Sequence, residues 1–184
     1  MRKILFIICW ALAGVGLYSC SLDEPSYGKT TSDNYYQKES DIEQALTGAY
    51  LQLRTTWNEY ALNHYFVGDC STDDALKGGG NDGDRAEVRD LSDFTIYTTN
   101  GEVGRRWEIL YRLINRCNDV IYYAPDAIGN EELLKRYANE AKALRAFGYY
   151  CLVTTFGEVP LITTPMQPAE ILQIPHWRRY MNVL

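Results

Sequence analysis

The carboxylates crowded between residues 69 and 84 are the first candidates for chemistry, since paired acids can hold a hard cation or drive glycoside hydrolysis. Asp69, Asp73, Asp74, Asp82 and Asp84 stand there among four glycines. Counting from Asp82, the fifth position is Ala86 and the twelfth is Asp93, so an EF-hand, which ends on glutamate, is ruled out. Gly78-Gly79-Gly80-Asn81-Asp82-Gly83 has the spelling of a dinucleotide-binding loop, but that loop needs a strand before it and a helix after it. Neither is expected here, and Asp82 and Asp84 would repel a pyrophosphate. A pair such as Asp69 with Asp73 could serve a glycosidase only at a defined separation in a cleft, and any acidic loop supplies such pairs. The chain holds just two histidines, His64 and His176, with no nucleophile elbow or zinc-protease motif beside them. The loop reads as a solvated turn, and no catalytic residue, metal ligand or cofactor is assigned.

Cys20 invites a different chemistry. Arg2 and Lys3 precede an uncharged run from Ile4 to Tyr18, which leads to Ser19-Cys20. The run is shorter than the roughly 20 residues a membrane-spanning helix needs and fits the pattern of a removable signal. Leu17-Tyr18-Ser19-Cys20 resembles the lipobox of bacterial lipoproteins, in which the cysteine receives diacylglycerol. The expectation is therefore a signal peptide over 1–19, lipid on Cys20, and a lipidated tether over 20–39. Asp23 and Glu24 resemble an export tag that sends such proteins to the outer face of the outer membrane.

Composition narrows the partners. Removing residues 1–19 from the 184 leaves 165, enough for one ordinary domain. A formal charge of −6 argues against nucleic acid, which usually meets a basic stripe. Fifteen tyrosines suit either a tyrosine-rich core or a surface that stacks on sugars or peptides. Cys70, Cys117 and Cys151 remain after processing, an odd number that implies no disulfide framework. Cys117 and Cys151 fall on apolar helix faces, where a thiol acts as a small hydrophobe.

The elements that must position these groups are helices. Ser40-Asp41-Ile42-Glu43 has the form of a capping box, followed by Ile42, Ala45, Leu46, Ala49, Tyr50 and Leu53 at helical spacing, to about Thr55. Phe94–Thr99 has the composition of a short strand. A second helix is expected from about Val103 to Tyr123, with Trp107, Leu110, Tyr111, Ile114, Cys117 and Ile121 on one face and Pro125 as its stop. A third starts after Asn130 and ends at Gly157, and its small residues Ala138, Ala141, Ala146 and Gly148 allow close approach of a neighbour. No 34-residue self-similarity is visible. The fold class is all-α, a tetratricopeptide-like helical scaffold with long loops.

The segment Asn139-Glu140-Ala141-Lys142-Ala143-Leu144-Arg145-Ala146-Phe147-Gly148-Tyr149-Tyr150, with Phe156-Gly157-Glu158-Val159-Pro160-Leu161, resembles the signature of SusD/RagB-like nutrient-binding lipoproteins. Leu22-Asp23-Glu24-Pro25, Gly68-Asp69, Thr72 to Gly79, and Trp107 with Tyr111 and Asn118 resemble the same family. The resemblance covers most of the mature chain up to Pro175, and so assigns 40–175 to the N-terminal helical portion of such a protein. It implies a non-enzymatic surface lipoprotein of the cell outer membrane that captures an oligosaccharide or peptide and passes it to a SusC-like TonB-dependent transporter. Starch-binding members carry stacking aromatics on the loop equivalent to 70–84; this chain offers Asp73, Asp74 and Lys77 there as ligand contacts, which speaks against starch. From a different class, the alternative is a structural or adaptor lipoprotein that uses helical-repeat surfaces for protein partners.

Residues 176–184, His-Trp-Arg-Arg-Tyr-Met-Asn-Val-Leu, depart from the family pattern. A one-base shift of frame can restore its Leu-Glu-Glu-Val-Tyr reading, so the tail is expected to be aberrant, either a frameshift truncation or a sequencing error, against the alternative of a short natural protein. Apolar faces meant for later helices would then lie bare, each large side chain forfeiting about 1.5–3 kcal/mol. Weak or absent ligand delivery by such a fragment is the expectation.

Overall fold

A helix with apolar residues every three or four positions must bury that stripe against another element, and this chain meets the demand with three long helices stacked on one another. A computed structural model describes residues 35–53 and 65–166. Helix α1 spans Glu39–Tyr50 and runs into a 3-10 turn, Leu51–Leu53. A single π turn, Tyr65–Asp69, precedes the acidic loop, after which come α2 (Ala86–Ser92), α3 (Gly101–Tyr123), a 3-10 turn (Ala124–Asp126) and α4 (Glu131–Phe156). The signal, Cys20, most of the tether and the tail from 167 onward lie outside the described residues. Among the described residues there is no strand, and no helix is long and apolar enough to cross a membrane.

Helix α3 is the shared element. Its first half, with Val103, Trp107, Leu110 and Tyr111, packs with Val88 and Leu91 of α2 and with Cys151, Leu152 and Phe156 of α4. The second half, with Leu113, Cys117 and Val120, packs with Ile42, Leu46 and Ala49 of α1 and Leu134, Ala138 and Ala141 of α4. Both cysteines are buried free thiols, and burial pushes Cys117 up to about 12, which keeps it an unreactive apolar filler. Glu108 and Arg112 pair at 3.6 Å along the exposed side of α3.

Gly148 sets how closely α3 and α4 approach. A Cβ there would sit 3.1 Å from Ile114 Cγ1. Gly148→Ala is expected to be close to neutral, because helix propensity returns up to about 1 kcal/mol against that tight contact. Gly148→Val should lose about 1–3 kcal/mol through overpacking, and paired thermal melts would distinguish the two. Ala146, expected at the same seam, is instead exposed, because it lies two residues from both Leu144 and Gly148 and so on the opposite side of the helix.

The structure moves several boundaries. Helix α1 begins before Ser40: the Lys38 backbone N–H donates to the Asp41 carboxylate at 3.0 Å, so Ser40 lies inside the first turn. Helix α3 ends at Tyr123, as expected from Pro125, and the chain adds only a 3-10 turn, Ala124–Asp126, whose first turn tolerates the proline because no N–H is needed there. Asn130 caps α4 as expected, its side chain accepting from Glu132 and Leu133 N–H, and Gly157 closes it at φ 72°, a conformation that favours glycine. Helix α2 was not expected at all. Only Val88, Leu91 and Ser92 of its seven residues are buried, too few to write a periodic pattern.

Residues 35–38, assigned to the tether, are fastened to the α3–α4 turn. Lys38 forms an isolated parallel bridge with Ile128, and Glu39 accepts from Asn130 N–H at 2.7 Å. Tyr36 stacks on Tyr123 with ring centroids 4.3 Å apart, and its hydroxyl donates to Asp119. Burial raises the Asp119 carboxyl to about 6 in spite of Tyr36 and Arg116, which favour the charge. A folded pKa above the unfolded value means the native state takes up a proton on acidification, so stability from this group grows as pH falls through about 6 and is lost above it. Asp119→Asn should therefore stabilise the fold at pH 7.5 by about 1 kcal/mol, a value discounted for partial exposure. At pH 4 the gain should vanish, as denaturation midpoints at both pH values would reveal.

Candidate functional site

The acidic loop is held by its own turn chemistry and by α2. Asn81 Oδ1 accepts from Gly83 and Asp84 N–H at 2.9 and 3.1 Å, and Arg89 of α2 donates to the Asp82 carbonyl at 3.0 Å. Lys77 is committed on both sides: its ammonium donates to the Asn81 carbonyl at 2.7 Å and its N–H to Ser92 Oγ at 3.1 Å. Of the three ligand contacts expected here, Asp73 and Asp74 are exposed and Lys77 is half-buried. Lys77 thus shapes the loop, while the two aspartates stay open to solvent. Among the described residues no three His, Cys, Asp or Glu side chains converge to hold a metal ion. A helix does follow the Gly78–Gly83 loop, starting at Ala86, but no strand leads in.

Helix α2 is locked to α3 in turn. Asn100 caps α3, accepting from Glu102 and Val103 N–H, and donates to the Glu87 carbonyl at 2.8 Å. The Glu87 carboxylate accepts from Gly101 N–H at 3.0 Å. Phe94–Thr99, expected as a strand, is a turn: Phe94 adopts φ 55°, in the left-handed region, immediately beyond the end of α2. Ile96 points into the core, while Phe94 and Tyr97 are 65% and 63% exposed. Sequence reasoning missed both as surface groups; alternation around Ile96 could have signalled Tyr97, but it would have placed Phe94 inward.

At the other end of α3, a cluster of polar side chains grips the exit from α4. Tyr111 donates to the Pro160 carbonyl at 2.8 Å. Asn115 both donates to the Met166 carbonyl and accepts from its N–H, at 3.1 and 2.7 Å. Asn118, 0% exposed, donates to the Ile162 and Thr164 carbonyls and accepts from Arg145 at 2.8 Å. Tyr149 exchanges two hydrogen bonds with the Ile162 backbone. The signature helix is thus a structural clamp in which Arg145 and Tyr149 meet Tyr111, Asn115 and Asn118. A separate cleft of about 520 Å³ lies where Ile121, Pro125, Leu134 and Ala138 form a floor below Lys135 and Lys142. No aromatic ring lines it.

This clamp lies in helices that other proteins share. SusD-like protein P2 of Formosa agariphila is 29% identical over 172 residues, which cover 91% of this chain. A solved laminarin-binding SusD-like protein superposes on 73% of the chain with TM-score 0.63 and 33% identity. The chain is similar to SusD-like proteins. Surface glycan-binding protein A from Bacteroides fluxus gives TM-score 0.59 and 30% identity over 74% of the chain. This chain spans about a third of the length of the relatives it matches: 32% for protein P2, and 29% and 31% for the two structures. No family model matches it. The all-helical class holds among the described residues, with α3 and α4 at its centre.

Proposed function

We propose that this chain forms part of an outer-membrane surface lipoprotein, anchored through Cys20, that captures an oligosaccharide and hands it to a SusC-like TonB-dependent transporter. The observation that carries the proposal is the likeness of about three quarters of the chain to a laminarin-binding protein and a surface glycan-binding protein. Two or more acyl chains would hold the protein durably, where one gives only marginal attachment. Binding needs no catalytic group. Peptide remains a ligand class to be compared with sugar.

One observation favours the adaptor reading as the runner-up: Phe147, Tyr150 and Val153 form an exposed apolar stripe along the outer side of α4. The test is shared. Tagged chain purified from outer membranes should carry palmitate label that Cys20→Ser abolishes, should co-purify with a TonB-dependent barrel, and should be retarded in native gels containing a glycan. Palmitate label without barrel or glycan, together with a different protein partner, would favour the adaptor. Unlabelled protein would overturn the anchor.

A further inference from the structure

Two tyrosine pairs join the segment that enters α1 to the end of α3. The Tyr36 ring lies flat on Tyr123, with centroids 4.3 Å apart and planes within 5°. Tyr35 meets Tyr36 edge-on at 4.6 Å, and Tyr122 meets Tyr123 edge-on at 4.9 Å. Backbone bonds close the other side: Ile128 N–H donates to the Gln37 carbonyl at 2.8 Å, and Glu39 N–H to the Ile128 carbonyl at 3.0 Å. Tyr36 itself adopts φ 46°, in the left-handed region, and a bulky residue held there stores strain of the kind found in switch segments. Few contacts and a strained residue make residues 35–38 a local unit that can open while α3 and α4 stay folded.

The hydrogen bond from Tyr36 to Asp119 ties this unit to a titrating group. Burial and the neighbouring Asp119 push the Tyr36 phenol up, so it keeps its proton, and the acid is the partner that changes charge. Burial raises that acid to about 6, against Tyr36 and Arg116, which favour its ionised form. Cys117, next to Arg116 on α3, feels the same carboxylate and the Arg145 guanidinium of α4, and stays a thiol. From α1, Asp41 acts on Tyr35, and the Gly48 carbonyl accepts from Arg116 at 2.7 Å. Lifting Tyr36 away would return the Asp119 carboxyl to water and toward its ordinary value, so the closed form holds the proton more tightly than the open one. We infer that Tyr36 and Asp119 form a proton-operated clasp that sets where the chain leaves the helical scaffold. Acid closes it and alkali loosens it. Opening frees residues 35–38 and adds roughly 13 Å to the reach of the chain before them. The meaning of that reach, a longer leash at higher pH, rests on the Cys20 anchor proposed above; the clasp itself does not.

Carboxyl-carbon NMR and hydrogen exchange on the full chain in detergent test the clasp. Asp119 should titrate at about 6 in the wild type. Tyr36→Ala, which uncovers the acid, should lower that midpoint by at least about one pH unit. Tyr36→Phe keeps the cover and removes a bond that favours the charge, so it should hold or raise the midpoint. From pH 7.5 to pH 5 the protection factors of the Ile128 and Glu39 amides should rise about tenfold, the ratio that follows from a midpoint of about 6 when closed and 3.8 when open. Asp119→Asn should abolish the rise, and the Met166 amide, held by Asn115, should not share it. A midpoint indifferent to Tyr36→Ala would overturn the clasp. So would protection that ignores pH in the wild type, that keeps its rise in Asp119→Asn, or that rises equally at Met166. Cys20→Ser should show the same clasp, which separates it from the anchor: absence of palmitate on the wild type would remove the leash and leave the clasp to these readouts.

Discussion

Replacing Trp107 by alanine is expected to lower the unfolding free energy by about 3–5 kcal/mol, the range for truncating a large buried aromatic. Trp107 is 5% exposed. It meets Phe156 of α4 edge-on, with ring centroids 5.1 Å apart, and Tyr111 one turn along α3 at 4.9 Å. An alanine would open a cavity at the level where α2, α3 and α4 converge, and would loosen Tyr111, whose hydroxyl holds the Pro160 carbonyl. Since total stability of a domain is about 5–15 kcal/mol, the variant should unfold at markedly lower urea in equilibrium titrations. Trp107→Phe should lose less, because a ring still fills part of the site. A midpoint for Trp107→Ala within error of wild type would mean that α2 does not depend on this contact.

The second large effect is expected at Asn118. Its amide satisfies two carbonyls and one guanidinium in a site closed to water. Asn118→Ala leaves the Ile162 carbonyl with Tyr149 as its remaining donor, takes the donor from the exposed Thr164 carbonyl, and removes the acceptor that the Arg145 guanidinium meets at 2.8 Å. Each buried polar group left unsatisfied costs about 1–3 kcal/mol, more where a charge is involved, so a total of about 3 kcal/mol is expected. Arg145 also donates to the Thr163 carbonyl at 3.3 Å, and that second contact moderates the loss. Combining Asn118→Ala with Arg145→Met should cost less than the two single changes added together, because the pair shares one interaction. Hydrogen exchange at the Ile162 and Met166 amides gives an independent readout, with protection falling in the single variant.

What could be read in the residues alone follows from range. The faces of α3 and α4, the cap at Asn130 and the glycine at 157 are local: their partners sit two to four residues away or recur at a fixed period. The small residue at Gly148 was legible as a point of close approach, although Ala146 beside it points outward. The clamp was not legible, because its partners are 44 to 51 residues apart for Asn118, Asn115 and Tyr111, and nothing in an asparagine announces which carbonyl it will meet. Phe94 misled for a different reason. Phe-Thr-Ile-Tyr-Thr-Thr has strong strand propensity, but such preference reports a packed pleated surface, and no second strand exists among the described residues to provide one. The turn bonds after α2 prevailed instead. In the acidic loop, charge was readable and commitment was not: Lys77 has the composition of a ligand contact, and its ammonium is already taken by Asn81.

The clamp on residues 160–166 grips peptide groups rather than side chains. Tyr111, Asn115, Asn118, Arg145 and Tyr149 all address backbone atoms of the segment. Where its side chains face outward the held stretch is therefore free to change its wording while keeping its course: Leu161, 76% exposed, and Thr163, also exposed, should accept nearly any residue, whereas Ile162 and Met166 pack against the core. Proline at 162 or 166 is the exception, because those two amide hydrogens are themselves part of the grip. Diversity can accumulate along this strap without disturbing the helices that carry it.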